Sequence, residues 1–210
     1  MKILIIGASR GIGLELVKQA IDAGHYVTAL MRDKSVFDDH PHKRLKVRQG
    51  DIHTRKIVEG ACVGQDAVCI TVGMVPSSKP VNLFSEGSRN VLSGMKRAGV
   101  KRLLAVTGIG AGDSEGHGGF LYDKVTRPVL LKHLYDDKNR QEEIIRASDC
   151  DWTIIRPALL TRTAKTGNYR VLTDLTGVKA GKISRKDVAH FMLGELEHPE
   201  YIHQTPLLTY

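Results

Sequence analysis

Seven residues near the start of the chain, Gly7-Ala8-Ser9-Arg10-Gly11-Ile12-Gly13, carry three glycines at a spacing suited to holding a phosphate on backbone amides. Gly7 permits a tight turn, Gly11 lets the backbone approach a pyrophosphate, and Gly13 lets a helix pack closely on the strand before it. Amides at the start of that helix are the natural phosphate donors. Such a triplet is weak evidence alone; here it directly follows an apolar run, 3–6, and opens a helical pattern, which makes it specific. About twenty residues beyond the glycines, where a site for NADH places a carboxylate on the ribose hydroxyls, stands Arg32. Arg32 and Arg10 together offer cations to a 2′-phosphate, so the expected cofactor is NADPH (NADP). The competing reading makes Arg32 a solvated surface residue and Asp33 the ribose ligand.

Two further strand ends fit the same ligand. Asp51, in Gly50-Asp51-Ile52, suits the adenine amino group, and Thr71-Val72-Gly73 suits the adenosine ribose. Either segment serves equally well as a plain turn, and Asp51 as a helix cap. Thr107 and Pro157, at the ends of two strands expected near the sheet centre, complete the cofactor candidates.

For proton transfer the candidates are Thr107, Tyr135 and Lys138. A Tyr-x-x-x-Lys motif, in which lysine lowers the tyrosine pKa, is absent. Tyr135 and Lys138 are three apart, and residues three apart on a helix are neighbours; the plainer reading is an amphipathic helix with a solvated lysine. Nine histidines include His117 and His133, but none has a metal-ligand spacing, so no metal is expected.

The elements that must position these residues alternate. Strands are expected over 2–6, 26–31, 45–48, 67–72, 102–107 and 152–156, with helices over 11–23, 54–59, 81–98 and 129–147. A last helix starts after Ser184, where Ser184 and Asp187 resemble a capping pair, and ends near His198-Pro199. Near-continuous apolar runs such as Leu103-Leu104-Ala105-Val106 suit strands covered on both faces. The expected fold is α/β, a doubly wound, mostly parallel sheet of Rossmann type, with 1–210 forming a single NAD(P)-binding domain. Gly108 to Gly119 holds six glycines in twelve residues and follows a central strand. It is expected, as part of 108–122 and together with 157–170, to wall a substrate pocket.

Composition narrows the partners. Hydrophobic residues at 41% and charged residues at 26% describe a globular chain. The net charge of +8 is spread along the sequence rather than gathered in a stripe, and aromatics are only 5%, so no nucleic-acid partner is expected. Cys62, Cys69 and Cys150 form no CxxC pair and read as reduced thiols. No apolar run is long enough for a membrane span or leader, so the expected location is cytoplasmic and the expected partner a small-molecule acceptor. Oligomeric state is not legible.

With these residues in place, the chain resembles the atypical short-chain dehydrogenase/reductase group, the NmrA-like NAD(P)-binding Rossmann proteins, and within it the biliverdin-IX-beta reductase or flavin reductase family. The resemblance runs nearly end to end. It includes Val27-Thr28-Ala29-Leu30-Met31-Arg32-Asp33, Gly64-Gln65-Asp66-Ala67-Val68, Ser85-Glu86-Gly87-Ser88-Arg89-Asn90, and Ile183-Ser184-Arg185-Lys186-Asp187 with His190-Phe191-Met192-Leu193. Asp151-Trp152-Thr153-Ile154-Ile155-Arg156-Pro157 is similar to a segment shared by NmrA-like and epimerase-like proteins. The resemblance implies NADP contacts at Gly7, Ser9, Arg10, Ile12, Arg32, Ser35, Asp51, Ile52, Val72 and Gly73, of which Ile12 and Ser35 rest on it alone. A serine that follows the threonine in the family is Gly108 here, so a serine-assisted step has no residue to carry it. The implied activity is NADPH-dependent hydride transfer to a conjugated acceptor: a flavin, a tetrapyrrole or a quinone-like molecule. The alternatives are an NAD(P)-dependent sugar epimerase or dehydratase, and an NmrA-like NADP-binding redox sensor without turnover.

Overall fold

The computed structural model describes residues 1–38, 41–75, 77–119, 126 and 131–210. Its main sheet begins with β1 (Lys2–Ile6), β2 (Tyr26–Met31), β3 (Leu45–Gln49), β4 (Ala67–Ile70), β5 (Arg102–Val106) and β6 (Asp151–Pro157), all parallel, in the order β3-β2-β1-β4-β5-β6. Two short strands extend it. β10 (Leu207–Thr209) runs parallel to β6, and β8 (Arg170–Leu172) pairs antiparallel to β10 at the edge. A separate parallel pair joins β7 (Leu159–Thr161) to β9 (Lys182–Ser184).

Alternation along each strand divides the core. In β1, Ile3 and Ile5 point into the apolar layer shared with α1 (Gly11–Asp22) and α5 (Arg185–Glu197). Leu4 and Ile6 face the layer under α2 (Arg55–Cys62) and α3 (Leu83–Ala98). This two-sided burial explains why the central strands are apolar throughout, as in Leu103 and Ala105 against Leu104 and Val106 of β5. The fold is therefore the doubly wound Rossmann type. Its strand order reverses between β1 and β4, and the crevice beyond their carboxyl ends is where such sheets take ligands.

A buried carboxylate helps tie α4 (Lys132–Arg146) to α3, beside a Gln141–Ser88 hydrogen bond. Asn82 at the N-cap of α3 contributes no side-chain bond. Instead Asp137, fully buried on α4, accepts from the Phe84 amide at 2.7 Å and from the Ser85 hydroxyl at 2.5 Å. The capping group comes from a different helix, so the start of α3 and the middle of α4 move as one. On α5 the cap is local: Ser184 accepts from the Asp187 amide at 2.9 Å, the pairing expected from the sequence. The Asp187 carboxylate in turn binds the Thr166 and Gly167 amides and the Tyr210 hydroxyl, which pins the segment after β7.

Several expected bounds shift: α2 reaches Cys62, α3 starts at Leu83 and β5 ends at Val106. β4 ends at Ile70 rather than residue 72, because the Thr71 hydroxyl turns back to the Ile6 carbonyl at 2.9 Å and the chain then leaves the sheet. The expected start of α4 at 129 lies outside the described residues. The strands β7 to β10 were not foreseen, since a three-residue strand carries no readable period. All three cysteines are buried and unpaired, and burial pushes the Cys62 and Cys69 thiols up to about 12. Among the described residues, no helix is long and apolar enough to cross a membrane, and no cluster of His, Cys, Asp and Glu could hold a metal ion.

Candidate functional site

A cavity of about 860 Å³ opens over the reversal point between β1 and β4, within the range of ligand-sized pockets. One arm of its lining comes from the glycine-rich turn: Gly7, Ser9, Arg10, Gly11 and Ile12. The second comes from strand ends, with Arg32 after β2, Asp51 and Ile52 after β3, Val72 and Gly73 after β4, and Thr107 after β5. The sheet thus brings together residues that lie as much as a hundred positions apart, because every one of them follows the carboxyl end of a parallel strand.

The turn is built for close approach. Gly7 has φ +90°, and a Cβ there would sit 2.8 Å from the Val72 backbone nitrogen; Gly11 has φ +63° at the helix start. Gly13 does not line the cavity: it is buried where α1 crosses the turn, with no room for a side chain against the Gly7 carbonyl and the Thr71 hydroxyl. α1 begins with Arg10 as an N-cap that makes no side-chain bond and has no acidic residue in its first turn. Its leading amides therefore have neither a capping oxygen nor a carboxylate, and an anionic group suits them on both counts. These residues fit a dinucleotide.

Arg32 lines the cavity, and its carbonyl is held by the Gln49 side-chain amide at 3.0 Å. Asp33 does not line it; its carboxylate accepts from the Ser35 amide at 3.0 Å, and the Ser35 side chain, then that amide, hold the carboxyl below the usual range. Ser35 lies in that same outward turn and is no part of the cavity wall, contrary to the expectation. Pro157 is likewise absent from the wall: it closes β6 in the core, where its carbonyl accepts from the Ile109 amide. Asp51 forms a turn with the His53 amide at 2.9 Å rather than capping α2, whose N-cap is Thr54.

The opposite end of the cavity carries the candidate proton-transfer groups. Lys138 lines it and donates to the Thr107 carbonyl, with its ammonium 5.2 Å from the centre of the Phe84 ring. Burial pushes this lysine down to about 8, against a smaller opposing pull from Glu142. Met74, Leu83, Phe84 and Leu134 form an apolar wall around it. Tyr135 is buried and does not line the cavity; α4 turns Lys138, not the tyrosine, toward the opening. Thr107 is 3% exposed and its hydroxyl donates to Glu142 at 2.8 Å, so its proton is already committed. A Cβ on Gly108 would lie 3.1 Å from the Tyr135 hydroxyl and 3.6 Å from the Lys138 ammonium, so a side chain there would press on the tyrosine.

The glycine-rich segment expected to wall the pocket does something else. Among its described residues, 108–119, none lines the cavity. Gly112 approaches so closely that a side chain would strike Arg156, and its amide donates to Asn139 at 2.9 Å. Asp113 pairs with Arg156, which is itself fully buried and grips Glu142 through two bonds of 3.0 and 2.6 Å. Gly112 thus admits a buried ion pair beside Thr107. Residues 120–122 lie outside the described residues.

The far wall was partly expected, from Leu160 to Thr163, and partly missed. Arg185 and Lys186, the first residues of α5, also line the cavity. The Arg185 guanidinium donates to the Thr161 carbonyl at 2.8 Å, and its Cδ and Nε would be the nearest atoms to a Cβ on Gly11, at 3.9 Å. Nothing in local sequence links residue 185 to residue 11; only the packing of α5 on α1 does.

A family model described as NAD(P)H-binding matches residues 7–199. The chain belongs to the NAD(P)H-binding family. Within the curated proteins it is 32% identical over 216 residues to the uncharacterized protein YwnB of Bacillus subtilis, covering 96% of this chain and 94% of that protein. It is 27% identical over 202 residues to the uncharacterized sugar epimerase YhfK of the same organism, covering 94% and 88%. Among solved structures it is similar to ChuY, an anaerobilin reductase of Escherichia coli O157:H7, with TM-score 0.81, 23% identity and coverage of 100% and 97%. A short-chain dehydrogenase/reductase of Veillonella parvula solved with NADP gives TM-score 0.81, 17% identity and coverage of 100% and 94%. Both structural likenesses show a shared fold. Family and fold agree with the NAD(P)-binding Rossmann fold expected from the sequence.

Proposed function

We propose that the protein is an NADPH-dependent reductase of a conjugated, flat acceptor such as a flavin, a tetrapyrrole or a quinone. The observation that carries this reading is Lys138, held at the cavity end among Met74, Leu83, Phe84 and Leu134 with its ammonium tuned by burial. When bound, the nicotinamide cofactor supplies the hydride. The chain supplies orientation, exclusion of water and one proton. The apolar wall offers a flat face for stacking, and Lys138 donates a proton to the acceptor atom that gains negative charge as hydride adds to its conjugated partner. Thr107 is a positioning residue: its carbonyl fixes the Lys138 ammonium, while its own hydroxyl remains bound to Glu142. Tyr135 is buried in the core beneath that end of the cavity and takes no part in the step.

The test is steady-state NADPH oxidation with FMN, a linear tetrapyrrole and a quinone in turn. Turnover above the enzyme-free rate with any of them supports the reading, and rates equal to the control with all three overturn it.

Preference for NADPH rests on Arg32 and Arg10, both exposed at the cavity rim. A hydrogen bond to a charged group contributes about 1.5–3 kcal/mol, enough for a tenfold preference or more. Replacing Arg32 with Asp should weaken NADPH binding by about tenfold or more, with NADH unchanged or improved, because the new carboxylate repels the phosphate and accepts from ribose hydroxyls. Calorimetric titration of both cofactors checks it; an intact affinity ratio removes Arg32 from the phosphate.

A further inference from the structure

We infer that Arg185 is a pyrophosphate-binding residue, closing from the α5 side the cradle that the glycine turn and α1 open from the other. The inference rests on dinucleotide binding by this site and not on the choice between NADPH and NADH.

Three observations support it. The guanidinium stands over the first residue of α1, where Cδ and Nε would lie 3.9 Å from a Gly11 Cβ. It is fixed there by backbone carbonyls, that of Thr161 at 2.8 Å and that of Leu160 at 3.4 Å. These anchors leave its charge without a carboxylate partner among the described residues, while its side chain still lines the cavity.

Electrostatics then decides the role. The N-terminus of α1 is the positive end of its dipole, and the first turn holds no acidic residue to offset it. A guanidinium clamped beside that end is repelled unless an anion lies between them. Arg162 and Lys186 line the same wall and add to the positive field. Glu15 lines the cavity too, but it sits one turn down α1, beyond the leading amides. A diphosphate between the α1 amides and the Arg185 fork satisfies both sides, and the planar fork of arginine matches paired phosphate oxygens. The plainer role, a tie between β7 and α5, uses one guanidinium nitrogen and leaves the rest of the fork for a ligand.

The test compares ligands that have a pyrophosphate with one that does not. Arg185→Gln keeps an amide donor for the Thr161 carbonyl and removes the charge. By calorimetry it should weaken NADP and NAD alike, by about tenfold, while adenosine 2′-monophosphate binds as to wild type. Unchanged affinity for both dinucleotides overturns the inference, as does an equal loss for adenosine 2′-monophosphate, which would mark a collapsed site. Arg185→Lys, which keeps the charge without the fork, should lose less than the glutamine variant, and an equal loss also counts against it. A wild-type protein that favours NAD over NADP would overturn the NADPH reading and leave this inference standing, since both carry the pyrophosphate.

Discussion

Replacing Lys138 with Met should lower kcat/KM for the acceptor by about 10²–10⁴-fold, the usual contribution of a positioned general acid, with NADPH affinity largely unchanged. The alkaline limb of the pH profile gives the sharper signature. Burial pushes the Lys138 ammonium down to about 8, so the proton-donating form is fully present below that pH and is lost as pH rises through it. Wild-type kcat/KM should therefore fall above about pH 8. Lys138→Arg keeps a cation that does not titrate in this range, so it should hold binding, lose rate and lose the limb. A profile in the arginine variant that matches wild type would show that the titrating group lies elsewhere, and an unaltered rate in Lys138→Met would remove the lysine from the chemistry.

The second large effect concerns stability. Glu142→Ala should destabilise the protein by about 3–5 kcal/mol, because Arg156 is fully buried and, among the described residues, would keep only Asp113 as a counter-charge. The Thr107 hydroxyl would lose its acceptor as well. Urea unfolding measures it, and a loss under about 1 kcal/mol would mean that the pair is not a buried ion pair in solution. The combined Glu142→Leu, Arg156→Met variant should recover much of the loss, as apolar replacement of buried pairs often does. Glu142→Gln connects this network to the site: Glu142 opposes the downward shift of Lys138, so removing its charge should move the alkaline limb to lower pH.

What the sequence revealed, and what it hid, follows from range. The glycine turn, Arg32, Asp51 and the six long strands were legible because each depends on local spacing or on a run long enough to show a period. The capping pair Ser184 and Asp187 was legible for the same reason. Arg185 was quoted only as part of a familiar segment, since its place above Gly11 is created by α5 packing on α1 across 174 positions of chain. The segment 108–119 misled because glycine richness reports freedom of the backbone and not the use made of it. Here the freedom at Gly112 admits Arg156 and Glu142 into the core, a contact between positions far apart in the chain. Lys138 and Tyr135 could not be ranked from their spacing; the rotation of α4 about its axis ranks them, and Asp137 fixes that rotation by capping α3.

The buried cysteines have a consequence for the protein under oxidative conditions. Peroxide attacks the thiolate, and with Cys62 and Cys69 raised to about 12 by burial the thiolate fraction at neutral pH is roughly one part in 10⁵. Cys150 is shifted in the same direction, again mainly by burial. A chain of the NAD(P)H-binding family thus keeps its sulfur as buried thiols, and their oxidation by peroxide should be slow while the fold holds.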